Sequence, residues 1–287
     1  MPKKTKKNCL KVRNLVAISD THSGCKLALC PPDGVHLDEG GTYHPSELQM
    51  KLWEFWREFW DVAVPEFTHG EPFAVLHNGD ALDGVHHGAT HQISNNLADQ
   101  ASIAHTLLQP IVERCEGRYY HIRGTEAHVG KSAQDEERLA KSLGAIPNED
   151  GQHARYDIWI RLGQGLIHAL HHIGTTGSLG FEATALNKEL AELYTQSAAW
   201  GYEAPSLILR SHRHRYCETA FPTSKGKARA IVTPCWQAKT VFAWRIPGAR
   251  ISTPQFGGVV IRWQEDAQSL SVREYIRTVE RSQNVDL

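Results

Sequence analysis

The sequence predicts an α/β layer protein whose later strands form or complete a second sheet. Three observations carry that expectation. Short apolar runs recur and end abruptly in polar residues, helical patterns lie between them, and strand-like segments dominate after residue 215. Short apolar runs bounded by glycine and turn residues read as buried strands.

The first run, Leu15-Val16-Ala17-Ile18, breaks into Ser19-Asp20-Thr21-His22. Ser46 to Phe67 then reads as a helix, with Leu52, Trp56, Phe59 and Ala63 on one face beside Trp53 and Trp60; an aromatic stripe at that spacing is core. Phe73-Ala74-Val75-Leu76 leads into His77-Asn78-Gly79-Asp80, and Ser94 is placed to cap a helix carrying Leu97, Ala101, Ala104, Leu108 and Ile111. Tyr119-Tyr120-His121-Ile122 leads to Arg123-Gly124-Thr125-Glu126, after which Ser132-x-x-Asp135 has the form of a capping box. Tyr156, Ile158, Ile160 and Leu162 alternate as a half-buried strand does. Gly163-Gln164-Gly165 turns that strand into Leu166-Ile167-His168-Ala169-Leu170, which ends in His171-His172. A fourth helix is expected from Glu182 to Trp200, through Leu186, Leu190, Leu193 and Tyr194, before Leu207-Ile208-Leu209 runs into Ser211-His212-Arg213-His214. Segments 228–236, 257–263 and 269–276 close the chain as strands.

A chain of 287 residues suits one large domain or two small ones. No repeat or linker-like break divides it, so residues 15–287 read as one domain behind a basic, flexible stretch over 1–14. With 31 Lys+Arg against 32 Asp+Glu, the net charge of −1 excludes a protein acting as a polycation on nucleic acid. At 41% hydrophobic and 22% charged residues, disordered, collagenous and disulfide-scaffold classes are excluded too. Cys9, Cys25, Cys30, Cys115, Cys217 and Cys235 form no CxxC, against a thiolate zinc knuckle. The opening MPKKTKKNCLK is followed by no apolar segment of a secretory signal, and no run approaches the roughly 18 apolar residues of a membrane span. A cytoplasmic location with free thiols follows as the default. Histidine is the abnormal count: 17 in one chain directs attention to metal ligation.

The polar clusters all fall where a strand is expected to end, and ligands of α/β sheets gather at the carboxyl ends of strands. Asp20 with His22, Asp80 with Asp83, Glu126 with His128, His171-His172, and His212 with His214 can therefore converge on one pocket. Carboxylate and imidazole together suit Zn, Fe, Mn or Ni. An Asp-x-His or His-x-His at a strand end points both side chains the same way, because strand side chains repeat with period two. The groups outnumber the ligands of one tetrahedral ion; two ions about 3.5–4 Å apart, bridged by a carboxylate, would use them all.

Asp20-x-His22, Gly79-Asp80-x-x-Asp83, a glycine-led third block, a strand-end histidine and a terminal His212-x-His214 follow the motif order of the calcineurin-like metallophosphoesterases. The resemblance spans roughly Leu15 to His214 and is specific for the superfamily, not for a substrate. It implies a four-layer α/β/β/α sandwich of two mixed β-sheets, with two divalent transition-metal ions (Mn, Fe, Zn or Ni) at the strand ends. It implies Asp20, His22 and His214 on one ion, Asp80 bridging both, and His212 with His171 or His172 on the second. Asp83 would fix its neighbours through hydrogen bonds. The third block departs from the family, whose Gly-Asn-His becomes Gly124-Thr125-Glu126-Ala127-His128. Either Glu126 replaces the asparagine as an oxygen ligand and His128 is the acid, or Thr125 takes that position and the second ion binds poorly.

The expected activity is hydrolysis of a phosphomono- or phosphodiester by a dinuclear centre that activates a hydroxide for in-line attack. His128 is the candidate general acid, and Asp83 and Arg213 complete the catalytic set, although Arg213 is equally placed for an ordinary salt bridge. The expected partner is a phosphoester substrate, a small ester or a nucleotide being favoured. A nuclease is the second reading; net charge does not support it, but a patch of Arg210, Arg213 and Arg215 would. A catalytically impaired metal-binding module is the third, motivated by the altered block. His86, His87 and His91 face substrate or solvent, while His77, His105, His121 and His168 are packing residues. Trp236, Phe242, Trp244 and Phe256 are expected to fill the second sheet's core, with base stacking as the alternative.

Overall fold

The computed structural model describes residues 12–86, 88–130, 132–174, 179–224, 226–246 and 252–279. The lysine run at Lys3 to Lys7 and His87 lie outside them. In chain order the elements are β1 (Asn14–Ile18), β2 (Val35–His36), β3 (Thr42–Tyr43), α1 (Glu47–Glu58), α2 (Val64–Thr68) and β4 (Phe73–Asn78). Next come α3 (Leu97–Arg114), β5 (Tyr119–Ile122), α4 (Glu126–Val129), α5 (Gln134–Ser142), β6 (Ala154–Arg155), β7 (Asp157–Leu162) and β8 (Gly165–Leu170). The last are α6 (Thr184–Trp200), β9 (Leu207–Arg210), β10 (Cys217–Thr223), β11 (Gly226–Val232), β12 (Phe256–Gln264) and β13 (Ser269–Arg277).

Two large mixed sheets result. One has the order β13-β12-β1-β4-β5-β6, the other β10-β11-β9-β8-β7. In the first, β1, β4, β5 and β6 run parallel and β12 returns antiparallel against β1. Strand alternation builds the layers. Val16 and Ile18 of β1, Val75 of β4 and Val260 of β12 pack on α1, the turn after it and α3 through Leu52, Phe59, Ile103 and Leu107. Their neighbours Leu15, Ala17, Leu76, Val259 and Ile261 point the other way, onto Ile167, Leu207, Leu209 and Ile231 of the second sheet. That sheet's outer residues Ile208, Ala230 and Val232 meet Leu186 and Leu190 of α6. The order helix, sheet, sheet, helix is the expected four-layer sandwich.

Several local expectations change. The Ser46–Phe67 helix is capped by Ser46, reciprocally with Gln49, but it loosens into a π-helical turn over Phe59–Ala63 before α2 resumes at Val64 with Pro65 in its first turn. Asn96, not Ser94, caps α3, accepting from the Ala98 N–H at 2.9 Å; the Ser94 hydroxyl donates to Asp99 instead. Ser132 caps nothing, since α5 opens on Ala133 with φ of 48° and no side-chain cap. Trp236 and Phe256 are buried, but under the first sheet, Trp236 against Trp56 and Phe59 and Phe256 against Phe55, while Phe242 and Trp244 are exposed. The second sheet's two faces are covered instead by the first sheet's strands and by α6. Among the described residues no helix is long and apolar enough to cross a membrane.

The inter-sheet core holds the strand ends at fixed spacing. Leu207, fully buried there and remote from the strand-end loops, tests its contribution. Leu207→Ala should cost about 2–5 kcal/mol of unfolding free energy, as large-to-small core changes do, measured from urea midpoints; a loss below about 1 kcal/mol would contradict this packing.

Candidate metal centre

The loops after β1, β4, β8 and β9 meet at one end of the sandwich. The first two are zipped together: the Asp20 N–H donates to the Gly79 carbonyl at 2.9 Å, His22 to Asp80 at 3.0 Å, and Asp83 back to Ser23 at 3.0 Å. Ser211 N–H donates to His171 carbonyl at 2.9 Å, joining the other two. Within these loops the backbone is strained. Asp20, His22, Asp80, His212 and His214 have φ between 42° and 73°, five of the nine non-glycine residues with positive φ among the described residues. Such conformations cost about 1–3 kcal/mol each and cluster where function holds them. Gly79, at φ of 90°, leaves room for the His171 ring, and Gly124 leaves room for the Asp80 carboxylate; a Cβ at either would collide.

Two ligand triads result. Asp20, His22 and His214 bring one ligand atom each to within 4.8 Å of the others, and so do Asp80, His171 and His212. His22 and Asp80 also group with His128, so Asp80 touches both halves. The Nε2 atoms of His22 and His214 face each other at 3.1 Å. Asp20 Oδ1 and His171 Nε2 are buried and make no hydrogen bond. Each faces a partner of its own triad instead, His214 at 3.3 Å and Asp80 at 3.0 Å. Buried atoms left this way suit a cation, and an oxygen-plus-imidazole donor set fits Zn, Mn, Fe or Ni.

Of the 171–172 pair, His171 faces the centre. Its Nδ1 donates to the Asn78 carbonyl at 2.6 Å, which aims Nε2 at Asp80. His172 is exposed and stacks on His212, ring centroids 4.8 Å apart. Glu126 does not reach the cluster: it lies exposed in the first turn of α4. Thr125 holds its place, donating from N–H to Asp80 Oδ1 at 2.7 Å, with its hydroxyl 3.3 Å from the same oxygen. The cause is helical phase, since α4 turns Glu126 out and His128, two residues on, inward. His128 donates from Nδ1 to the Asp83 carbonyl at 2.7 Å and sets Nε2 4.0 Å from Asp80. Asp83 is buried, accepts 2.9 Å bonds from Gln92 and Gln237, and lies 3.6 Å from His22 Nδ1. Arg213 lines the cleft above the centre and donates to the backbone carbonyls of Gly174 and Glu182, not to a carboxylate. The arginine patch does not exist as a surface: Arg210 is buried on Glu189 and Arg215 on Glu182, each at 2.7 Å. A nuclease loses its main support.

No protein-family model matches the sequence, and no curated protein matches it. Solved structures do. A metallophosphoesterase from Sphaerobacter thermophilus is similar at 11% identity and a TM-score of 0.39, over 91% of this chain and 88% of that one. Vps29 from Entamoeba histolytica, complexed with zinc, is similar at 10% identity and 0.38, over 92% and 98%. A predicted phosphoesterase from Streptococcus pneumoniae TIGR4 is similar at 12% identity and 0.33, over 92% and 98%. These likenesses are distant, and the site stands on its own geometry.

Supporting residues that carry no motif complete it. Asn78 donates to Ser211 at 2.6 Å, Ser211 meets Thr233 at 2.7 Å, and Thr233 meets Ser19 at 2.7 Å beside Asp20. Buried Glu136 accepts from the Gly124 and Ala81 N–H groups at 2.6 and 3.2 Å, pinning the third loop to the second. Asn78 and Ser211 flank recognisable blocks, which is a usable signal; Thr233, Glu136 and Gln237 give none.

The charges are strongly coupled. Burial would raise the Asp80 carboxyl, but the charges of His171 and His128 hold it well below the ordinary range. Burial and the nearby His128 and His214 push His22 far down, so it is neutral with a lone pair available. Burial lowers His171, yet Asp80 outweighs it and lifts the imidazole to about 9. A raised folded pKa contributes stability that is full below the unfolded value of about 6.5 and lost as pH rises through about 9. Chelator-treated protein should therefore show falling urea midpoints from pH 6.5 to 9; a flat profile would contradict the His171–Asp80 coupling. Gly124→Ala should lower metal content measured by elemental analysis, by displacing the Asp80 carboxylate, whereas Glu126→Ala should leave it unchanged. Metal loss in the Glu126 variant would restore that residue as a ligand.

Proposed function

We propose that this chain is a metal-dependent phosphoester hydrolase with two divalent ions, one on Asp20, His22 and His214 and one on His171 and His212, with Asp80 shared. What supports it above all is the pair of carboxylate-plus-imidazole triads, five of whose six residues adopt strained backbone, facing one cleft of about 400 Å³. Ions held there supply Lewis-acid neutralisation of phosphoryl charge and activation of water. The chain's own groups do the rest. His128, fixed by its bond to the Asp83 carbonyl, presents Nε2 to the cleft and gives a proton to the leaving oxygen. Gln92 and Gln237 hold Asp83, which keeps His22 oriented. Arg213, whose guanidinium spends its bonds on carbonyls, keeps its charge for the substrate anion. A small monoester or diester, including a nucleotide, fits the cleft's size.

One observation favours a second reading, a metal-binding module with weakened catalysis. Thr125 offers the second ion only a hydroxyl where a stronger oxygen ligand is expected, and that hydroxyl lies against Asp80. Metal stoichiometry with turnover of 4-nitrophenyl phosphate and bis(4-nitrophenyl) phosphate decides between them. Under Mn, Zn, Fe or Ni, the hydrolase reading expects two ions per chain and turnover. Asp80→Ala should abolish both, and His128→Ala should slow the rate by about 10²–10⁴ with metal retained. One ion and no turnover would establish the module.

A further inference from the structure

The cleft has two unlike kinds of lining. One is the metal centre, with His22, Asp80 and His212. The other is the apolar set Ala238, Phe242, Ala243, Ile246 and Pro254, with Lys239, Thr240 and Ser252 among them. The segment carrying that lining exposes apolar surface in an unusual concentration: Val241 is 60% exposed, Phe242 47% and Trp244 61%. Just before it, Trp236 is completely buried, so the chain has a core for aromatics and leaves these outside it. Large exposed apolar patches mark binding surfaces.

The segment is also fixed in place. Ala238 N–H donates to the Leu27 carbonyl at 2.7 Å, and the N–H groups of Ala243 and Trp244 donate to Thr240, each at 3.3 Å. The Lys239 ammonium sits 4.0 Å over the Trp244 ring, a cation–π contact, and Phe242 is the aromatic ring of this segment that lines the cleft. A phosphoryl group drawn to the metal centre would leave its organic substituent in the same cleft, within reach of this apolar lining. A polar substituent gains nothing there, whereas an aromatic ring gains both area burial and offset stacking.

We propose that the cleft contains a subsite for an aromatic substituent of the phosphoester, with Phe242 as its specificity-determining residue. This deepens the hydrolase reading and rests on it for the position of the phosphoryl group. Aryl esters and nucleobase-bearing esters share the required chemistry.

Calorimetric titration of the metal-loaded chain tests it, with inorganic phosphate and three phosphonates whose carbon–phosphorus bonds resist hydrolysis: 2-hydroxyethylphosphonate, phenylphosphonate and thymidine 5′-phosphonate. Phenylphosphonate should bind at least about tenfold tighter than the hydroxyethyl compound, in the range of aromatic stacking contributions. Phe242→Ala should reduce that preference to within about twofold while inorganic phosphate binds as before, which also shows the variant is folded. Tight thymidine 5′-phosphonate assigns the subsite to nucleobase esters; weak binding beside tight phenylphosphonate assigns it to aryl esters. Equal affinity for the hydroxyethyl and phenyl compounds, or a preference that survives Phe242→Ala, would overturn the subsite while leaving the metal centre intact. Absence of any phosphate or phosphonate binding would overturn both.

Discussion

Two carboxylates, Asp20 and Asp80, are completely buried at the carboxyl ends of neighbouring parallel strands, and the rest of the active end is arranged around that fact. An ionised carboxylate taken out of water is costly unless charge or hydrogen bonds replace its hydration. Here four imidazoles are the replacement, with His214 beside Asp20, His171, His212 and His128 around Asp80. Both carboxyls stay below their ordinary range despite burial. A site with this much buried carboxylate and basic nitrogen suits cations, and the proposed phosphoester chemistry is what two such cations would support.

Holding those groups together requires a backbone that ordinary strands and turns do not supply. Left-handed residues at Asp20, His22, Asp80, His212 and His214 turn each chain sharply as it leaves its strand. Asp and His tolerate that region better than most side chains, so the ligand types and the conformation agree. The strain is offset by the loop-to-loop zipper, by Glu136 bridging two loops, and by the Asn78–Ser211–Thr233–Ser19 chain. Beneath them, the aliphatic core between the sheets keeps the strand ends in register.

The apolar lining of the cleft bears on selectivity under the proposed function. A metal centre would recognise the phosphoryl group common to every such substrate, so discrimination would come from whatever meets the remainder of the ester. Phe242 and its apolar neighbours are the part of the cleft placed to do that.

Much of this was legible in one dimension. Strand alternation and helical spacing point to an α/β layer protein with a second sheet, because burial of one face is a local property of residue pattern; the four-layer order came from the resemblance carried by the motifs. Asp20-x-His22, Asp80 and His212-x-His214 were legible as candidate ligands from residue type and motif order, although left-handed backbone beyond the strand ends, and not strand alternation, brings them together. Other features depend on contacts between distant segments, which pattern does not encode. His171 differs from His172 in being buried against Asp80 with its Nδ1 on the Asn78 carbonyl. Thr125, and not Glu126, lies against Asp80 because α4 begins where it does. Arg210 and Arg215 look like a basic patch in sequence but are consumed by Glu189 and Glu182. The sequence by itself determined the layered α/β class and the chemistry of the candidate metal ligands, with the sandwich implied by their motif order. Tertiary structure alone decided which histidine and which third-block residue lie against Asp80 and which aromatic lines the cleft, since each choice turns on a partner brought from another part of the chain.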